Sequence, residues 1–273
     1  RSMGEGQVLA VTRWINWLLG KPASVLLGAI HVQPANPTCP ISNFFAMELV
    51  VFAFSIVFFL WIKSRLSVDR PGATQQCMEM FLTNSMGMGV KDLVDDIIGH
   101  GGEPHVPMLG AIGMFILLCN LLALIPGFMS PTAEVTVPLG CSVVVFLYYN
   151  WFGIRHHGPL GYGKTLLGPV KAISPLMLLI ETISHFARML SLTVRLWANM
   201  MVSELIYMSF LGLTMALFVF TAHLNPAGYI SGVLPVGIPL GLALFHVFEA
   251  ILQAFIFTIL AVIYLGLAVS EEH

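Results

Sequence analysis

Residues 172–222 read AISPLMLLIETISHFARMLSLTVRLWANMMVSELIYMSFLGLTMALFVFTA, and after Pro175 they contain no obvious helix breaker. At 1.5 Å per residue this stretch makes ~75 Å of helix. A bilayer core is about 30 Å thick, so such a helix must tilt steeply, bend, or project beyond the membrane. The turn Asn225-Pro226-Ala227-Gly228 ends it, and Pro235 and Pro239 open a last helix that reaches about Val269. The expected core of the fold is therefore a long helix pair, strongly tilted, bent or projecting.

The rest of the chain agrees. Its 273 residues are 57% hydrophobic and 10% charged, with a mean hydropathy of +0.87. A soluble domain spends about a quarter of its residues on charge. That excludes an ordinary soluble enzyme, a nucleic-acid binder and a disordered chain. The net charge of −2 gives no bias toward an acidic or basic partner. Cys39, Cys77, Cys119 and Cys141 lack CxxC spacing and read as small hydrophobes and surface thiols, not as a metal or redox site.

Outward from the long helix, the uncharged runs Val106–Pro126 and Val135–Ile154 form a transmembrane hairpin, and Phe44–Ile62 forms a first span whose only charge is Glu48. Between them Met78, Phe81, Leu82, Ser85 and Met86, then Val90, Leu93, Val94 and Ile97, repeat at helical spacing, while Asp92, Asp95 and Asp96 take other positions. This is an amphipathic segment that lies on the membrane. Trp14, Trp17 and Lys21 mark an interfacial helix near the N-terminus.

The expected fold is an all-α polytopic membrane protein with five crossings and an amphipathic surface helix. Its parts are an external N-terminal segment (1–43), the first span (44–62), cytoplasmic-side amphipathic helix and loops (63–105), the hairpin (106–155) and the tilted pair (156–273). Lys63, Arg65, Arg70 and Lys91 follow the first span, and Arg155, Lys164 and Lys171 follow the third, whereas loops 127–134 and 223–234 carry no Lys or Arg. The positive-inside rule then puts the N-terminus outside and Ser270–His273 inside. Arg1, Arg13 and Lys21 run against this, but they lie beyond the reach at which the rule is strong.

The charges inside the tilted pair are the unusual feature. The long helix carries Glu181, His185, Arg188, Arg195 and Glu204, and the last helix carries His246 and Glu249. A central Arg costs between ~3 and ~10–17 kcal/mol depending on the method, so it is rare without a function. On the face of Arg195 lie Ser191 and Asn199, one turn to either side, and neither neutralises it. Glu204 is ~13 Å along the axis and on the opposite side, and Glu181 is about 21 Å away. An arginine stays protonated. Its counter-ion is therefore either Glu249 of the last helix, which shares a face with His246 and Gln253, or an acid of another protein; the bland alternative is that Arg195 snorkels or pairs with helix carbonyls to pin a bundle. His185 can pair with Glu181 at i+4.

At these residues the chain resembles subunit a of the F-type ATP synthases. The resemblance rests on Arg195-Leu-Trp-Ala-Asn-Met-Met-Val-Ser-Glu204-Leu-Ile, on Leu252-Gln-Ala-Phe-Ile-Phe257, on the ending Tyr264-Leu…Glu271-Glu-His273 and on Asn120-Leu-Leu-Ala-Leu-Ile-Pro-Gly127. It covers roughly residues 44–273. It implies a non-catalytic, cofactor-free, metal-free stator subunit of the bacterial cytoplasmic (inner) membrane. Implied partners are the c-subunit ring, the b subunits of the peripheral stalk, the remaining synthase subunits and membrane lipid. Two offset aqueous half-channels would load and unload protons, or alternatively sodium ions, on the ring carboxylates.

The resemblance also implies roles. Arg195 matches the family's essential arginine, which faces the ring carboxylates and blocks leakage between the half-channels. Glu204 and His246 match the polar pair of the external half-channel, and Glu181 an acidic position on the cytoplasmic one. Asn199 and Gln253 match polar residues beside the arginine, with Ser191 one turn before it. Glu249 carries no family role, but its place near His246 suggests the external channel. Trp197, Ala198 and Ser203 depart from the family, where a Phe, a Gly and a Gly are common.

Two other classes fit less well. An intramembrane metalloenzyme could use His246-Val-Phe-Glu249 with His185, but an inverse zincin needs a second His directly after the Glu, where Ala250 stands. A secondary transporter should show repeats and broken mid-membrane helices. No inverted repeat is visible, and the polar residues crowd into the last hundred positions.

Overall fold

The computed structural model describes residues 10–29, 40–67, 71–83, 89–99, 101–125, 128, 130–167, 174–224 and 233–269. The expected turn at 225–228 and the C-terminal Ser270–His273 lie outside them. Among the described residues every regular element is helical: α1 (Ala10–Ala29), α2 (Asn43–Arg65), α3 (Ala73–Leu82), α4 (Val90–Ile97), α5 (Val106–Leu122), α6 (Thr136–Leu167), α7 (Ser174–Leu224) and α8 (Val233–Val269). Five of these, α2 and α5–α8, are long and apolar enough to cross a membrane.

The decisive stretch is helical throughout: α7 holds 51 residues without interruption. Ser174 and Pro175 open it, as suits a proline fixed near the helical φ at a first turn whose N–H needs no partner. The hairpin's second helix runs past the expected limit of 155 to Leu167, but it is broken at Gly158, whose φ of 74° and ψ of 161° are not helical. Pro159 follows directly, and a residue before proline is pushed out of the α region. Glycine also accepts the positive φ found there.

The amphipathic segment is divided into two helices. α3 stops at Thr83, which is extended and whose N–H and hydroxyl both return to the Glu79 carbonyl. α4 starts after an extended Gly89 and buries Val90, Leu93 and Val94, leaving Asp95 and Asp96 exposed.

The chain forms two compact units. The first takes residues 1–57, 118–134 and 200–250. In it Ile15 of α1 packs with Ile41 and Ala46. The Asn16 side chain bonds the Ile41 backbone twice, accepting its N–H at 3.0 Å and donating to its carbonyl at 3.1 Å. Trp14 and Trp17 stay exposed on the other side of α1.

The second unit takes residues 58–117, 135–199 and 251–273. Small residues set its spacing. Gly113 of α5 touches Thr258 of α8 so closely that a Cβ would overlap the Thr258 hydroxyl, and Gly266 of α8 likewise receives Ile97 of α4. The acidic surface helix is thereby seated on the end of α8.

Candidate functional site

The polar residues of α7 and α8 gather at different points of the two units. In the second unit, Glu181 of α7 anchors a cluster. Its Oε1 lies 3.5 Å from His185 Nε2 and 3.3 Å from Arg188 Nη2. The first pairing is the expected i+4 contact. The second, at i+7, is two turns away and within reach of a long guanidinium stem.

His185 continues the cluster inward. Its Nδ1 is 3.0 Å from the hydroxyl of Tyr149 on α6, and the two rings stack with centroids 5.7 Å apart. Tyr149 is buried. Arg188 lies over the Tyr264 ring of α8 at 5.8 Å, a cation–π contact. The Tyr162 hydroxyl, past the kink in α6, donates to Asn150 at 3.0 Å, and burial pushes the Tyr162 phenol above its ordinary pKa. Both ring nitrogens of His185 are thus engaged, one by a half-exposed acid and one by a buried phenol.

Further along α7 in the same unit, Leu192, Thr193 and Leu196 are buried, whereas Leu190, Ser191, Val194 and Arg195 are exposed. Arg195 therefore stands on the outward face of its helix. Among the described residues no ion pair includes it. The Asn199 amide donates to Gln253 Oε1 at 3.0 Å, and Gln253 is buried. These two expected residues are brought together between α7 and α8, while Ser191 keeps to the exposed face.

The first unit holds the other pair. His246 of α8 is 2% exposed. Its Nδ1 lies 2.6 Å from Ser203 Oγ, and Tyr207 stacks over its ring with centroids 6.4 Å apart. The Glu204 carboxylate accepts a hydrogen bond from the Ser130 backbone N–H. Glu204 Oε2 and His246 Nε2 are buried with no hydrogen-bond partner among the described residues. Glu249 is partly exposed.

Ser130 belongs to a buried polar latch that sequence reasoning did not find. Thr132 Oγ1 donates to Asn120 Oδ1 at 2.6 Å and meets Ser130 Oγ at 2.7 Å; Ser130 Oγ in turn reaches the Cys119 carbonyl at 3.1 Å. All three side chains are fully buried. A lone amide such as Asn120 in an apolar span was the available signal, because a buried amide needs partners. Tyr149 gave no comparable sign, and Ser203 stood out only as a departure from the family pattern.

Among the described residues no three His, Cys, Asp or Glu side chains gather as metal ligands. The HxxE histidine instead has its Nδ1 on Ser203.

The family model described as ATP synthase A chain matches residues 45–266. The chain belongs to that family. It is 38% identical over 262 residues to the ATP synthase subunit a of Koribacter versatilis, covering 96% of this chain and 97% of the relative. It is also 38% identical over 255 residues to that of Solibacter usitatus, with 93% and 98% covered. The Geotalea uraniireducens subunit a is 34% identical over 252 residues, with 91% and 94% covered. The match takes in α2 through most of α8, and so every candidate site residue.

Proposed function

We propose that this chain is a non-catalytic stator subunit of the ATP synthase membrane sector, and that α7 and α8 line two offset half-channels that exchange protons with carboxylates of a rotating c-subunit ring. The observation that carries the reading is Arg195. It is a permanent cation in a helix apolar enough to cross a membrane, on an exposed face, without an ion pair among the described residues. Left to lipid it would be expensive. A carboxylate presented in turn by successive ring subunits supplies the missing counter-charge. The cation favours the ionised form of that carboxylate as it passes, so the proton leaves. The same charge repels protons from the direct route between half-channels. A tight permanent pair would stall the ring, so the contact is loose or hydrated.

Glu204 and His246, each with one buried and unpartnered polar atom among the described residues, suit the half-channel on the external side, with Glu249 one turn deeper along α8 and Asn120, Ser130 and Thr132 as its polar wall. Glu181, His185 and Tyr149 suit the cytoplasmic one, with Ser191 between them and Arg195. The orientation follows the basic loops: N-terminus outside, C-terminus inside, in a bacterial cytoplasmic membrane. The b subunits of the peripheral stalk hold the chain static while the ring turns.

The test is Arg195→Ala in the complete synthase, reconstituted in vesicles. The complex should assemble while ATP-driven proton pumping and proton-driven ATP synthesis are lost. ATP synthesis at the wild-type rate would overturn the role.

A further inference from the structure

Four hydroxyl side chains of α7, those of Thr182, Thr193, Ser209 and Thr214, donate to the carbonyl four residues back, at 2.7, 3.0, 2.7 and 2.8 Å. This is the usual outlet for a hydroxyl within a helix. Ser203 differs in having a side-chain partner, since its Oγ lies 2.6 Å from the Nδ1 of His246. Both residues are buried, at 8% and 2% exposure. A hydroxyl can donate to a neutral imidazole or accept from it. Whichever it does sets the tautomer of the ring, and so the chemistry of the far nitrogen.

We infer that Ser203 is a positioning residue: its Oγ accepts a hydrogen bond from Nδ1–H of His246, which makes Nε2 the only atom at which this histidine exchanges protons. The Ser203 proton then turns away from the ring. Nε2 carries the lone pair, and it is buried with no partner among the described residues. Protonation forms one N–H bond at Nε2 at the expense of a hydronium ion of the external aqueous side, which becomes water. The imidazolium keeps Nδ1–H on Ser203 Oγ. Release of the proton from Nε2 restores the same neutral tautomer, so no ring flip is needed between ions. Glu204, next to Ser203 on α7, Tyr207, stacked on the ring, and Glu249, one turn along α8, are the titratable neighbours in this unit.

The inference rests on the reading of Glu204 and His246 as the external path. It is tested in the complete synthase carrying ¹⁵N-histidine, where the spectrum of the wild type less that of His246→Gln isolates the His246 ring. Neutral His246 should show a protonated Nδ1 and a bare Nε2. Ser203→Ala should move the proton to Nε2 and slow ATP-driven proton pumping about 3–10-fold, the size of one hydrogen bond. Ser203→Thr should keep both tautomer and rate. A wild-type ring protonated at Nε2 overturns the inference even if Ser203→Ala fails to assemble, and so does a Ser203→Ala variant of wild-type rate and tautomer. Should His246→Gln itself pump at the wild-type rate, the external-path reading falls and this inference with it. If His246→Gln is dead and Ser203→Ala is normal, only the inference falls.

Discussion

Asn199 donates its side-chain amide to Gln253 across 3.0 Å, joining α7 to α8 one turn beyond Arg195. Gln253 is buried and Asn199 exposed, so truncating Asn199 leaves the Gln253 amide short of a bond in a dry place, while truncating Gln253 frees Asn199 from α8. The two losses should therefore not add. Asn199→Ala and Gln253→Ala should each slow ATP-driven proton pumping, and the double variant should be no slower than the worse single one. The expected coupling is about 1 kcal/mol, roughly fivefold in rate. Strictly multiplicative losses would show that the bond does not hold this part of the site.

Arg195→Lys tests what kind of cation the exposed face of α7 needs. Lysine keeps the charge but concentrates it on a strongly hydrated ammonium, and it loses the planar fork of donors that matches a carboxylate. Proton-driven ATP synthesis in Arg195→Lys vesicles should fall by more than about tenfold, the cost of a poorly replaced charge-assisted bond. Near-normal coupling would mean that any positive charge suffices.

The spans, the unbroken α7 and the isolated charge at Arg195 could all be read from the chain, because they depend on local apolar length and on what a bilayer forbids. The residues that surround those charges could not. Ser203 meets His246 and Thr132 meets Asn120 through tertiary contacts with no sequence period, and Tyr149 reaches His185 from a different helix. Arg188 illustrates the limit within one helix. The i, i+4 rule found His185 beside Glu181, but the longer side chain arrived from i+7. The break at Gly158 was written in Gly158-Pro159, which lies beyond the end of the uncharged run at Ile154.

Exchange of the external pair is a stricter test of cooperation than loss of either member. Glu204 and His246 each leave one buried polar atom without a partner among the described residues, and in the proposed half-channel a proton passes between this carboxylate and this imidazole. Glu204→His and His246→Glu should each reduce pumping, since each puts two like groups in one path. Together they should restore part of the loss. If the double variant merely multiplies the two defects, the groups do not act on the same proton.

Gly113 makes a separate prediction about the scaffold. The Thr258 hydroxyl beside it is buried and already donates to the Ala254 carbonyl at 2.8 Å, so it cannot swing away without breaking that bond. Gly113→Ala should therefore push α5 from α8, at a cost of about 1–3 kcal/mol typical of overpacking. It would show as a lower melting temperature of the detergent-purified synthase membrane sector. Thr258→Ala opens the space the new methyl needs, and the double variant should regain most of the lost stability. If Gly113→Ala melts with the wild type, the close approach of these two helices does not limit stability. If Thr258→Ala fails to rescue it, the clash lies elsewhere.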